Sequence, residues 1–372
     1  CLGEAFQFGI GVSIDLKEAL KYYKEAADRG DSEAMFNYAC MVEKGEGIES
    51  NSREAAKYYK KSAKLGNTNS MNNYASLIYN DILKDKEKED ENENENTSKS
   101  KYEECLKYFK LSADNGNVEG MYNYGMILKQ DQTNIKNKEI SAKYLKMAAD
   151  RGNAEAMNEY ANMLYTGEGI SINKELAAKY YKESADLGNT ESMFSYGFML
   201  QHGEGVRIDL SESAKYYKAS AEGGNDDAMN NYANILYEIE NKKEKESSTS
   251  NKSELIKYYK MSIKKGNDKA MFNYALILRD GSTVQKDKAE SARLLRMSSL
   301  IGNSESMNIY ANMNRLGDGI PINKRIARKY YLESISQGNV RAMFNLANML
   351  EESAEINEIN EPNGTNETND HA

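Results

Sequence analysis

Tryptophan is missing from this 372-residue chain, proline occurs only at Pro321 and Pro362, and histidine only at His202 and His371. The three cysteines, Cys1, Cys40 and Cys105, share no phase with one another or with the histidines. Neither a disulfide framework nor a metal cluster is therefore expected. Two histidines 169 residues apart also support no Ser/His/Asp or Cys/His arrangement. The chain reads as no enzyme, with no cofactor, no metal and no small-molecule substrate. Positive charge is short as well: 49 Lys and Arg face 58 Asp and Glu, for a net charge of −9. That balance argues against nucleic acid or an anionic membrane bound through bulk charge, because phosphate neutralisation needs clustered Lys and Arg. No apolar run reaches the ~18–20 residues of a spanning helix, so no membrane insertion of this segment is expected. No signal peptide is visible. The chain starts at Cys1 inside a repeat already under way and reads as N-terminally truncated, which leaves the compartment open between cytoplasmic and ER-luminal.

What the chain has in abundance is a beat. Gly followed by Asp or Asn recurs nine times, at Gly30, Gly66, Gly116, Gly152, Gly188, Gly224, Gly266, Gly302 and Gly338. A Met stands five residues after each glycine, from Met35 to Met343. Successive spacings are 36, 50, 36, 36, 36, 42, 36 and 36 residues. One structural unit is thus copied along the chain, with two insertions. A fixed period of this length marks a solenoid, which works through a long surface and not through one pocket.

The stretch from Gly152 to Gly188 shows the unit. Gly152 suits a left-handed helix C-cap, where a side chain would carry a steric penalty. Asn153 can cap the next helix by accepting from its free backbone N–H groups. Helix A is predicted over roughly 154–165, with Ala156, Met157, Tyr160, Ala161 and Leu164 at helical spacing. Gly167-Glu168-Gly169-Ile170 turns the chain, and helix B is predicted over about 174–187. Two short amphipathic helices cannot cover both faces alone, so neighbouring hairpins must stack. Small residues stand where backbones should approach, four and nine residues after each glycine, as at Ala156 and Ala161.

The recurring pattern is a Tyr/Gly-rich helix A, then Gly-x-Gly-[IV], then Ala…Tyr-Tyr-Lys-x-[SA]-Ala-x-x-Gly-[DN]. With it the chain resembles the Sel1-like repeat family, relatives of the tetratricopeptide (TPR) solenoids. The resemblance runs from Leu2-Gly3…Gly9-Ile10-Gly11-Val12 to about residue 350. It departs in the units ending at Gly116, Gly152, Gly266 and Gly302, which lack the intact Gly-x-Gly turn, and at Leu294-Leu295 in place of Tyr-Tyr. The expected fold is an all-α, right-handed α/α solenoid of about nine to ten repeats and 19 helices, spanning 1–350. Loop insertions expected to be disordered fall at about 82–101 and 239–252, and an acidic, Asn-rich tail at 351–372 is expected to be unstructured. Asn96, Asn251, Asn363 and Asn366 open N-glycosylation triplets, all in these segments, where such composition produces them by chance.

Two motifs that suggest chemistry are better read as structure. None of the Gly-x-Gly turns is followed by Gly-Lys-Ser/Thr or preceded by a strand, so they read as inter-helix turns and not as nucleotide loops. The Tyr-Tyr pairs recur between apolar neighbours and read as packing, not as platforms for bases.

One feature exceeds the 36-residue period. Six residues after each glycine the chain runs Phe36, Asn72, Tyr122, Asn158, Phe194, Asn230, Phe272, Asn308, Phe344. Aromatic and Asn alternate throughout. The tenth position adds Met126 and Phe198 in odd units and Asn162, Asn234 and Asn312 in even ones, and the thirteenth adds Tyr165 and Tyr237. Positions six and ten share a helix face, and resemblance to TPR helices places that face in the concave groove. Asn amides there would hydrogen-bond a peptide backbone, and aromatic rows would pocket its side chains. Asn rows alone would bind weakly, since a net hydrogen bond contributes ~1 kcal/mol against an association cost of at least ~4 kcal/mol. Duplication of a two-unit block would leave the same alternation with no binding role. The resemblance implies a non-catalytic scaffold or adaptor that binds partner proteins or extended peptides, with a luminal adaptor of ER-associated degradation as one known family role. A regulatory subunit docked on a single enzyme is the alternative.

Overall fold

The computed structural model describes residues 2–87, 95–130, 134–242 and 249–360. These residues form 19 α-helices and no strand. They divide into two compact units, Cys1–Ile208 and Asp209–Ala372. The first unit holds α1 (Leu2–Phe8), α2 (Leu16–Asp28), α3 (Ser32–Lys44), α4 (Ser52–Lys64), α5 (Thr68–Glu87), α6 (Glu95–Asp114), α7 (Val118–Lys129), α8 (Ile135–Ala149), α9 (Ala154–Thr166), α10 (Lys174–Asp186) and α11 (Thr190–His202). The second holds α12 (Leu210–Glu222), α13 (Asp226–Lys242), α14 (Thr249–Lys264), α15 (Asp268–Asp280), α16 (Lys288–Ile301), α17 (Ser304–Leu316), α18 (Lys324–Ser336) and α19 (Val340–Asn360). Within each unit, consecutive helices pack as antiparallel hairpins and each hairpin stacks on the next.

Local chemistry sets where each helix starts and stops. Asn153 Oδ1 accepts from the Ala156 backbone N–H at 2.7 Å, and Asn189 Oδ1 from that of Ser192 at 2.9 Å. Each such cap satisfies one of the donors a helix start leaves free. Helix B ends in a Schellman turn: Gly188 N–H reaches the Ala185 carbonyl at 2.9 Å, and Asn189 N–H reaches that of Ser184 at 3.1 Å. Gly188 sits at φ 97°, as the C-cap reading of the beat requires. The Gly-x-Gly turns split their work. The first glycine caps helix A, with Gly203 at φ 72°. The second lies against the neighbouring hairpin: a Cβ on Gly205 would stand 2.4 Å from the carbonyl oxygen of Lys174.

Three tyrosine and serine positions build the core of most hairpins. The first tyrosine of the Tyr-Tyr pair packs edge-on against a tyrosine of helix A, as in Tyr160–Tyr180 at 5.1 Å between ring centroids, a favoured aromatic geometry. The second, such as Tyr59 or Tyr217, is fully buried. Four residues before the capping glycine stands a serine in seven of the nine repeats, from Ser62 to Ser334, and all seven are 0% exposed. Ser184 Oγ donates to the carbonyl of Ala154, the first residue of its own helix A, at 2.7 Å. Ser192 Oγ, from the next helix A, stands 2.8 Å away.

Consecutive B helices are tied by a further ladder in the first unit. Tyr58, Tyr144 and Tyr180 donate to Asp28, Asp114 and Asp150, each 30 residues earlier, at 3.1, 2.5 and 2.7 Å. The Tyr144 hydrogen bond holds the Asp114 carboxyl below the usual carboxylate range. Lys146 and then Tyr180 do the same for Asp150.

Helix boundaries in the regular repeats match the expectation, with α9 and α10 ending within a residue of it. The irregular segments differ in part. α5 runs on to Glu87, α6 begins at Glu95, α13 reaches Lys242 and α14 starts at Thr249, so helix enters the expected loops 82–101 and 239–252 from both sides. α19 likewise continues to Asn360, past the expected end at 350. A helix already nucleated by packing adds one hydrogen bond per residue, and Lys, Glu and Leu are good helix formers. Residues 88–94 and 243–248 of the expected loops and 361–372 of the tail lie outside the described residues.

Two predictions follow from these contacts. Gly188→Ala, at a site with nothing within 4 Å, should cost only the left-handed backbone penalty, about 1–2 kcal/mol. Gly205→Ala must also push apart two hairpins, and its melting temperature should fall at least twice as far. The aspartate ladder predicts acid sensitivity. Carboxyls held low in the folded state contribute stability above the unfolded value of about 3.9, and this is lost as pH falls through the lower folded value. Melting temperature should therefore drop below about pH 4, and Asp114→Asn with Asp150→Asn should flatten that acid limb.

Candidate partner-binding face

On each helix A the third, sixth, tenth and thirteenth positions after the capping glycine form one stripe, because three- and four-residue steps return to the same side. The residues named for a groove lie on it, yet they fall into two groups. Phe36, Tyr122, Met126, Phe194, Phe198 and Phe272 are half-buried, as are Asn162, Tyr165, Asn234, Tyr237 and Asn312. Asn72, Asn158, Asn230 and Asn308 are buried, at 8%, 8%, 2% and 4% exposure.

That burial revises the role expected for the sixth-position asparagines. Each turns its Oδ1 toward the next repeat. Asn72 accepts from Asn123 Nδ2 at 2.9 Å, Asn230 from Asn273 at 3.0 Å, and Asn308 from Asn345 at 2.8 Å. The donors all stand at the seventh position of the following odd repeat. The four asparagines therefore lock seams between adjacent A helices, and their amide oxygens are already engaged. The tenth-position asparagines are held from within the hairpin. Tyr181, Tyr259 and Tyr331 donate to Asn162, Asn234 and Asn312 at 2.6, 2.5 and 2.6 Å. The second tyrosine of the Tyr-Tyr pair in these three hairpins thus has an identifiable acceptor, which period analysis alone did not supply.

The seam between α9 and α11 breaks the rule. Its seventh position is Ser195, where three other seams have asparagine. The shorter side chain does not reach Asn158, and Ser192 Oγ replaces it at 2.8 Å. A pocket of about 270 Å³ opens there, lined by Asn162, Tyr165, Tyr181, Phe194, Ser195, Phe198 and Met199. Four of the residues named from the sequence, Asn162, Tyr165, Phe194 and Phe198, meet in it. Its other walls, Tyr181, Ser195 and Met199, were not foreseen. Ser195 was visible as the one serine in a position dominated by asparagine.

The pocket walls are held from behind. Tyr165 Oη donates to Glu204 at 2.5 Å, and Lys174 pairs with the same carboxylate at 2.8 Å. Glu204 accordingly sits below the usual carboxylate range, Lys174 being the larger cause. His202 stacks on Phe198 with ring centroids 4.1 Å apart. Asn162 has its oxygen occupied by Tyr181, which leaves its amide N–H groups without an acceptor among the described residues. The site is thus an aromatic recess with one oriented donor at its rim. Burial pushes the Tyr181 hydroxyl above its ordinary value, so it stays protonated and a donor. Among the described residues no group of three or more His, Cys, Asp or Glu side chains is placed to hold a metal ion.

The Sel1 repeat family model matches residues 2–31, 32–67, 96–117, 118–153, 154–189, 190–225, 268–303 and 304–339, well over half of the chain. Among solved structures, a Sel1 repeat protein from Oxalobacter formigenes is similar over 89% of this chain and 90% of its own, with TM-score 0.60 and 18% identity. A protective antigen of uropathogenic Escherichia coli strains, displaying an SLR fold, aligns over 100% of this chain and 88% of its own, with TM-score 0.54 and 19% identity. At such identities the likeness concerns the fold. Among curated proteins nothing matches the chain.

If the asparagine seams are structural, Asn72→Ala should cost about 1–2 kcal/mol by leaving a half-buried donor unpaired. Asn123→Ala should cost a similar amount, and the double variant should fall short of their sum by at least ~0.5 kcal/mol. Denaturant unfolding of the four chains measures this. Additive losses would show that the two amides do not interact.

Proposed function

We propose, given that the chain belongs to the Sel1 repeat family, that its helix-A stripe is a binding face for partner proteins presenting an extended segment. Repeats of this family generally mediate protein–protein interaction and are typically non-catalytic scaffolds. The observation that carries the finer reading is the recess at the α9–α11 seam. It combines a floor of Phe194, Phe198 and Met199 with a donor from Asn162 that has no acceptor among the described residues. An apolar side chain would fill the recess while a backbone carbonyl took the Asn162 N–H. The half-buried aromatics Phe36, Tyr122 and Phe272 would supply weaker contacts at other odd repeats.

Magnitudes support one main anchor. A single hydrogen bond contributes only ~1 kcal/mol, so amides cannot supply the ~8 kcal/mol of micromolar affinity. One to three buried side chains at ~1.5–3 kcal/mol each can approach it. The scaffold reading therefore depends on aromatic pockets, with the asparagines as a frame.

Two variants test this in opposite ways. Phe198→Ala should weaken partner capture from native-cell extract by about ten-fold or more, from ~1.5–3 kcal/mol of lost burial. Ser195→Asn should restore the seam bond to Asn158, fill the recess and lower capture while leaving the melting temperature unchanged or higher. Full capture by both folded variants would remove the recess from the binding face.

A further inference from the structure

Four aromatic rings line the recess at the α9–α11 seam: Tyr165, Tyr181, Phe194 and Phe198. The repeat pattern does not require the fourth. At the tenth position of the other odd repeats stand Cys40, Met126, Leu276 and Asn348, and only α11 has an aromatic there. His202 stacks on one face of that ring, with centroids 4.1 Å apart, and so holds it in place. At about 270 Å³ the recess is smaller than the ~300–1,000 Å³ of pockets for drug-sized ligands and suits a single side chain.

The walls are rich in rings and short of free acceptors. None of the lining residues is charged. Tyr165 Oη is turned to Glu204, and Tyr181 Oη to Asn162. Asn162 Oδ1 is thereby engaged, and what this amide offers at the rim is N–H. The chain already seats one ammonium on these rings, since Lys174 Nζ stands 4.9 Å from the centroid of Tyr165.

These features discriminate between side chains. Aromatic faces carry the negative part of the ring quadrupole and attract a cation, the more so where water is excluded. A plain lysine ammonium brings three N–H donors, and burying donors without acceptors is costly. Methylation keeps the charge and removes the donors. A neutral apolar side chain meets the same rings without the electrostatic attraction. Ion pairing adds little here, because Glu204 and Glu159 are each met by a lysine, at 2.8 and 2.5 Å. The selectivity must come from the rings.

We propose that the recess recognises a methylated lysine, trimethyl-lysine above all, in an extended segment of a partner protein. This rests on the binding-face reading above and names the side chain that the recess takes. The apolar stem of that lysine lies against Met199 and the phenylalanines, its methylated ammonium sits among the rings, and a backbone carbonyl accepts from Asn162.

The test is retention of labelled nonapeptide pools with randomised flanks and one fixed centre. The centre is trimethyl-lysine, lysine, leucine, or the neutral isostere in which carbon replaces the ammonium nitrogen. Each pool is passed over the full chain, Phe198→Ala and Ser195→Asn. The trimethyl-lysine pool should bind at least about five-fold more tightly than the isostere and lysine pools, a ratio within the range of cation–π attraction. Both variants should lose that preference, and Ser195→Asn decides the matter if Phe198→Ala does not fold. Equal or stronger retention of the isostere, leucine or lysine pool, lost in the variants, would overturn the methylated cation and leave the binding face standing. Retention of no pool, or retention that neither folded variant changes, would overturn both.

Discussion

The stacking of hairpins depends on a serine hydroxyl with no exposure to water. Ser62, Ser184 and Ser298 each sit where helix B meets the first residue of its own helix A and a serine of the next. A hydroxyl there must find partners, because a buried unpaired polar group costs more than a hydrogen bond contributes. It finds a helix-start carbonyl and, in those seams, a second hydroxyl. Larger side chains at either site would separate the hairpins: a Cβ on Gly120 would already stand 2.5 Å from Ser112 Oγ. The small residues at the fourth position, the capping asparagines and the edge-on tyrosine pairs all follow from holding this spacing.

That spacing brings adjacent A helices near enough for short amides to bridge them. The alternation of aromatic and asparagine then has a mechanical meaning. Even repeats present an asparagine oxygen, odd repeats present the matching amide, and the odd aromatic lies half-covered beside the seam. Where one amide is replaced by Ser195, the bond moves to Ser192 and the space is left as a recess. A single departure from the repeat is thus accompanied by an aromatic-lined pocket on the stripe. Solenoids commonly vary the surface while holding the stacking residues fixed.

Much of this was legible in the sequence because it repeats. Nine glycines in phase fix the C-caps, and helical spacing fixes the A and B helices, since both depend on local backbone chemistry. Phe194, Phe198, Asn162 and Tyr165 were placed on one face by the same arithmetic. Period analysis could not separate a residue facing outward from one facing the seam. Asn158 and Asn162 differ by one turn, yet one is buried and the other lines the recess. The distinction depends on the rotation of one helix against the next, which no single-repeat pattern carries. Helical spacing put Ser184 on the packed side of helix B but not its partners, because Ala154 and Ser192 come from other helices.

The most direct measurement is site-specific photo-crosslinking in native cells. A benzophenone side chain is placed at residue 166, exposed beside the recess, and in a separate chain at residue 179, exposed on helix B of the same hairpin. Partner protein attached through residue 166 and absent from residue 179 is the predicted result. Partner attached through residue 179, with none at residue 166, would contradict a binding face on the A helices.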